Sequence, residues 1–124
     1  MKKQYCSTNG YMKYAGIHLV IELWNGKNFS SLPAVRRILK DAVKACNATL
    51  INMDLHKFSP YGGISGVAII MESHISIHTW PELSYAALDI FVCGNANPYG
   101  AIGTIKKGFR PKKMQVAEFK RGIM

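Results

Sequence analysis

The sequence predicts an α+β fold: a two-layer α/β sandwich in which an antiparallel-rich sheet is covered on one face by two helices, in the order β-α-β-β-β-α-β. Apolar residues alternate with polar ones in five short stretches, the period of a strand with one buried face. Two further stretches carry apolar residues at helical spacing. Turn-forming residues separate them, with no repeat or low-complexity tract, and 124 residues suffice for one core but not two. A single domain, 1–124, is expected.

Residues 15–24, AGIHLVIELW, place Ile17, Leu19, Ile21 and Leu23 on one face and His18, Val20, Glu22 and Trp24 on the other. Over 31–46 the period changes. Leu32, Val35, Leu39, Ala42, Val43 and Cys46 form a helical stripe, with Ser30 or Ser31 as N-cap and Pro33 in the first turn. Residues 49–58 alternate again, Thr49, Ile51, Met53 and Leu55 against Leu50, Asn52, Asp54, His56 and Phe58. SPYGGISG, 59–66, is a turn by composition. One long strand is expected over 66–79, a turn at WPELS, and another strand over 84–93. Asn97-Pro98 opens a second helix with Ala101, Ile102 and Ile105 as its apolar face and Gly108 as its end. A last strand spans 113–120, Met114 and Val116 alternating with Gln115 and Ala117. Both helices fall to one face of the sheet. The other face is mixed in character, and a second subunit or a ligand is its natural cover.

Composition narrows the function classes. Hydrophobic residues make up 48% and charged residues 19%, which describes a globular chain and not a disordered one. No apolar run reaches membrane-spanning length, GIHLVIELW being interrupted by His18 and Glu22, so no membrane span is expected. The N-terminal lysines are not followed by an apolar segment, so no signal peptide is expected and the location should be cytoplasmic. Cys6, Cys46 and Cys93 are odd in number and form no CxxC pair; reduced thiols fit better than a disulfide framework or a zinc site. The net charge is +9, with Lys106, Lys107, Arg110, Lys112, Lys113, Lys120 and Arg121 gathered near the end. Such a cluster suits a polyanion, but no RNA-binding signature accompanies it, and a solvated basic face is the plainer reading.

The chemistry concentrates in ESHISIHTWPE, Glu72 to Glu82. His74 and His78 are spaced as a metal pair would be on a helix. On a strand that spacing spans roughly 13 Å, too far for one ion, so no metal site is expected. Ser73, Ile75 and Ile77 share one strand face; Glu72, His74, Ser76 and His78 share the other. If 84–93 pairs back across the WPELS turn, Cys93 falls toward the end of the sheet where 70–73 lie. A thiol, a serine and a carboxylate together make a candidate reaction centre, although a cysteine at a strand end is more often a small core residue.

These residues resemble a known family. ESHISIHTWPE, preceded by PYGGISGVAII and followed by AALDIFVCG, is similar to the small prokaryotic S-adenosylmethionine decarboxylases, and the resemblance runs from Gly16 to about Gly94. It implies a proenzyme that cuts itself between Glu72 and Ser73, giving chains 1–72 and 73–124 held in one sheet. Ser73 would become a pyruvoyl group that forms a Schiff base with the substrate. Ser65 would supply the oxyanion donor for processing, His78 the processing base, and Cys93 the proton donor in decarboxylation. Phe58 and Trp80 would sandwich adenine, and Glu82 would hold the ribose hydroxyls. A homodimer with composite active sites is implied, acting on S-adenosylmethionine for spermidine synthesis. Two departures stand out: PYGGISG has one residue more than the family's usual PYG-x-SG, and Val92 stands where threonine is common.

Two other functions compete with this one. The same machinery could decarboxylate ornithine or arginine, though a short amino acid needs no adenine clamp. A non-catalytic basic module holding nucleic acid would instead remain a single uncut chain and bind polyanions in a salt-sensitive way.

Overall fold

A computed structural model of the chain describes residues 7–8, 13–71, 73–93 and 96–123. A short ribbon pairs β1 (Ser7–Thr8) with β2 (Lys13–Tyr14). The main sheet comprises β3 (Gly16–Trp24), β4 (Thr49–Lys57), β5 (Ile64–Met71), β6 (Ser73–Trp80), β7 (Tyr85–Val92) and β8 (Lys113–Arg121). Their order is β4-β5-β6-β7-β3-β8, and every neighbouring pair is antiparallel. Two helices, α1 (Leu32–Ala45) and α2 (Gly100–Phe109), pack together on one face. The expected two-layer sandwich is present.

Alternation sets the layers. Leu19, Ile21 and Leu23 on β3, Ala68 and Ile70 on β5, Ile75 and Ile77 on β6, and Leu88 and Ile90 on β7 are buried against the helices. From α1 they meet Val35, Ile38, Leu39, Ala42 and Val43; from α2, Ala101, Ile105 and Phe109. Ser31 caps α1 as expected, its Oγ accepting from the Ala34 N–H at 3.3 Å. Cys46 is a free thiol inside this core, and burial pushes its pKa up to about 11, partly offset by a backbone hydrogen bond from Ala101. It is a packing residue. Among the described residues, no helix is long and apolar enough to cross a membrane.

Three expectations need correcting. The single strand expected over 66–79 is two, β5 and β6, paired with Ser65 opposite His78 and Ile70 opposite Ser73. No Gly, Pro or Asn marks the reversal at MES, so the absence of a turn signal reads the stretch as continuous. The second helix begins at Gly100, after a turn over Pro98 and Tyr99. It also runs past Gly108 to Phe109, where Arg110 closes it in a left-handed conformation.

The reversal between β5 and β6 has a topological consequence. β3, β4, β5 and α1 precede residue 72; β6, β7, β8 and α2 follow it. Three of the five ladders, β5–β6, β7–β3 and β3–β8, therefore join the two parts of the chain.

One buried hydroxyl ties the sheet to the loop before α1. Thr79, only 5% exposed, accepts from the Ile64 N–H at 2.8 Å and donates to the Phe29 carbonyl at 2.6 Å. Thr79→Val keeps the shape but leaves a backbone N–H and a carbonyl unpaired. It should cost about 1–3 kcal/mol, read as a lower midpoint in urea unfolding with an unchanged slope.

Candidate active site

Ser65 on β5 and His78 on β6 are direct cross-strand partners on the face away from the helices, with Ser65 Oγ 3.0 Å from His78 Nδ1. Two residues on, Trp80 projects from the same face, and its ring lies 6.2 Å from that of His78. The short turn Pro81–Leu83 then brings in Glu82. Phe58 arrives from the end of β4. Its N–H donates to the Gly63 carbonyl at 2.7 Å, and the Gly62 N–H donates to the Phe58 carbonyl at 2.9 Å. That tight loop requires a left-handed residue, and Gly62 supplies it with φ +79°. The longer PYGGISG loop thus still sets Ser65 against His78 and Phe58 at the rim. Phe58, Tyr61, Ser65, His78, Trp80 and Glu82 line a pocket of about 190 Å³.

Ser73 and Cys93 lie elsewhere. Ser73 is the first residue of β6, and Cys93 follows the end of β7, whose Phe91 is opposite His74. Both sit at the end of the sheet away from the pocket, as the register argument predicted for Cys93. β3 passes close by. A Cβ at Gly16 would come within 2.5 Å of the Val92 carbonyl oxygen and 3.4 Å of Cys93 Cβ, so only glycine fits there. Glu72 lies outside the described residues. From Ser73 to His78 is five residues of extended chain, roughly 16 Å. The structure brings Phe58, Ser65, His78, Trp80 and Glu82 together in one group and leaves Ser73 and Cys93 in another.

Comparison with known proteins gives these halves a context. The family model described as S-adenosylmethionine decarboxylase matches residues 17–122. The chain belongs to the S-adenosylmethionine decarboxylase family. It is 49% identical over 114 residues to the S-adenosylmethionine decarboxylase proenzyme of Thermomicrobium roseum, covering 91% of this chain and 98% of that one. A proenzyme of the same name from Methanococcus maripaludis (strain C5) is 51% identical over 116 residues, covering 91% and 94%. The crystal structure of the adenosylmethionine decarboxylase from Aquifex aeolicus superposes with a TM-score of 0.81 at 33% identity, covering 90% of this chain and 94% of that one.

Sequence reasoning missed a third feature of this S-adenosylmethionine decarboxylase family member, in the middle of the same sheet face. His18 Nε2 is 2.6 Å from Asp89 Oδ2, and Arg121 Nη1 is 2.8 Å from His18 Nδ1. A guanidinium only donates, so His18 accepts at Nδ1 and donates from Nε2 to Asp89. Ser76 donates to the other carboxylate oxygen. His74, which had no assignable role in the sequence, stands at 3.5 Å from Asp89, with its ring 6.1 Å from that of Phe91. The signal available was parity, since His18, His74, Ser76 and Asp89 all fall on polar faces of neighbouring strands. Burial would raise the Asp89 pKa, but hydrogen bonds from Ser76 and His18 and attraction to His74 outweigh it and hold the carboxyl below its ordinary range.

Cys93 also departs from expectation: it is disulfide-bonded, not a reduced thiol. A disulfide sulfur carries no proton, so the donor role assigned to Cys93 belongs to its reduced form.

The pH dependence of stability tests the network. Because folding lowers the Asp89 pKa, its stabilisation is complete above the ordinary carboxylate value of 3.8 and is lost as pH falls through the lower folded value. Asp89→Asn should be less stable than the parent at pH 6 by on the order of 1–2 kcal/mol. Melting curves of the two should draw together below the ordinary carboxylate value; a gap that stays constant down to acid unfolding would contradict the assignment.

Proposed function

We propose that the chain is a self-cleaving, pyruvoyl-dependent decarboxylase of S-adenosylmethionine that works as a two-fold homodimer with active sites shared between protomers. The observation that carries this reading is the separation of two complementary half-sites along one strand, in a chain of the S-adenosylmethionine decarboxylase family. The curated relatives are named proenzymes, which supports maturation by cleavage.

Ser73 suits the origin of a pyruvoyl group. It is half-buried and is the first residue of β6, and three ladders would still join the two products. In processing, Ser73 Oγ attacks the preceding carbonyl, and the amide becomes an ester. A base takes the Ser73 Cα proton, and the ester oxygen leaves on the N-terminal chain as a carboxylate. The dehydroalanine left behind takes up water and loses ammonia. His78, hydrogen-bonded to Ser65, has the base and donor groups that these steps need.

One protomer cannot bring His78 to its own Ser73. A two-fold axis lying between two sheets and crossing β6 near Ser76 would lay each strand over its partner in reverse. His78 of the partner subunit would then stand over the end of β6 that Ser73 opens. This packing covers the mixed face, where Ile69, Met71 and Phe119 are more than 40% exposed. It also enlarges a pocket whose 190 Å³ is below the roughly 300–1,000 Å³ of typical ligand sites.

The pyruvoyl group supplies the electron sink for the pair left by departing CO₂. The chain's own residues position and protonate. Phe58 and Trp80 offer aromatic faces to a flat, cationic nucleoside, Glu82 a carboxylate to its ribose, and reduced Cys93 a proton to the carbon that lost CO₂. The decarboxylated product would serve aminopropyl transfer in spermidine synthesis.

Release of CO₂ from S-adenosylmethionine, and not from ornithine or arginine, is the expected result in assays run with reductant. Denaturing electrophoresis and mass measurement should give two fragments divided at residue 73; one uncut, inactive chain would overturn the proposal. Ser73→Ala should abolish cleavage and activity together, while Cys93→Ala should leave cleavage but decarboxylate far more slowly. Shared sites make a sharper prediction. Ser73→Ala and His78→Ala homodimers should both stay uncut, yet co-expression should cleave the His78→Ala chain, whose Ser73 meets an intact histidine across the interface. No cleavage in the mixed dimer would place the site within one protomer.

A further inference from the structure

The pocket is backed by a ladder of rings that crosses the sheet. Trp80 on β6, Tyr85 on β7 and Trp24 on β3 are successive cross-strand partners on the face away from the helices. The Trp80 and Tyr85 rings are stacked, with centroids 5.4 Å apart and planes 28° apart. Trp24 leans on Tyr85 at 5.9 Å, and Lys113 Nζ sits 4.8 Å from the Trp24 ring centroid. The Tyr85 hydroxyl donates to Glu22 Oε1. That bond, then burial and the Glu22 charge, raise the Tyr85 pKa to about 12, so the phenol remains a donor at any working pH. An indole at the end of a strand, 38% exposed, is otherwise free to change rotamer. Here Tyr85 supports one side of it, and Tyr85 is itself fixed at its hydroxyl and by Trp24.

We propose that Tyr85, fixed by Glu22, is a positioning residue that holds Trp80 in the orientation required to clamp the planar base of a nucleoside against Phe58. The inference rests on the pocket being the nucleoside site of the proposed decarboxylase. Tyr85 touches neither substrate nor reacting atoms. Its effect is to preorganise the clamp, so that ligand binding does not have to order the indole.

The test combines kinetics with a binding readout independent of turnover. In a Trp24→Phe background Trp80 is the single tryptophan, since the chain has two. Its anisotropy, and its quenching by 5′-methylthioadenosine, then report order and affinity directly. Tyr85→Leu removes the stack and should raise both KM and the nucleoside Kd by about 3- to 10-fold. Self-cleavage should stay complete, kcat should change little, and Trp80 anisotropy should fall. Tyr85→Phe and Glu22→Gln keep the stack and should each give a smaller rise, with the double variant no worse than either alone; they carry the test if Tyr85→Leu does not fold. Trp80→Ala separates the two levels of the argument. If it raises KM while the Tyr85 and Glu22 variants do not, the positioning role is overturned and the nucleoside pocket stands. If Trp80→Ala leaves both KM and Kd unchanged, the pocket reading fails and this inference falls with it.

Discussion

The period of β6 governs the rest of the molecule. Successive residues of a strand point to opposite faces and advance about 3.3 Å each. Ile75, Ile77 and Thr79 therefore complete the core under the helices, while His74, Ser76, His78 and Trp80 stand in register on the far face. The same rule that sorts apolar from reactive residues also pulls the reactive ones apart. Ser73 and His78 are close in sequence and far apart in space because nothing between them bends the chain. A helix or loop would have gathered these groups in one place; a strand distributes them along a line. Gathering them again needs a second line laid across the first.

Interleaving makes a cut at that strand tolerable. If the chain were divided between two independent lobes, cleavage at residue 73 would release one of them. Instead β3 lies between β7 and β8, and β5 lies against β6, so each part supplies neighbours for the other. α1 and α2, one from each side of residue 72, share the core as well. Cleavage there would remove one covalent link and leave three ladders and the buried layer in place. Thr79 adds another tie, since its hydroxyl bridges a strand after the cut to the Phe29 and Ile64 backbones before it.

Much of this was legible in the residues. Alternation located β3, β4, β7 and β8 to within a residue or two, and the stripe from Leu32 to Val43 located α1, because a one-sided core imposes those periods wherever it is met. The hairpin between β5 and β6 was not legible: the reversal is built without glycine, proline or asparagine, so no turn signal marks it. Among site residues, the motif named Phe58, Ser65, His78, Trp80 and Glu82, and they do converge. The meeting of Ser65 with His78 depends on that same unseen hairpin. Asp89, His18, Tyr85 and Glu22 are each unremarkable in sequence. The His18–Asp89 and Glu22–Tyr85 pairs form through the register of strands 60 or more residues apart, which no local pattern carries.

The divided site also bears on timing. In the proposed dimer, roughly 16 Å of extended strand separates Ser73 from the His78 of its own protomer, so self-cleavage would wait for the partner's His78. Cleavage would then depend on the mixed face having found its complement, and the break would be made only when partner strands are already in place to support it. The polar network around Asp89 lies midway between the half-sites on that face, close to where the two-fold axis would cross β6. An apolar patch alone would tolerate several registers of one sheet on another. A half-buried carboxylate with both oxygens committed, to Ser76 and to His18, tolerates few, because sliding would set it against groups that cannot satisfy it. Register matters more here than affinity: a displacement of one residue, about 3.3 Å, would carry His78 away from the opposing end of β6 where Ser73 lies.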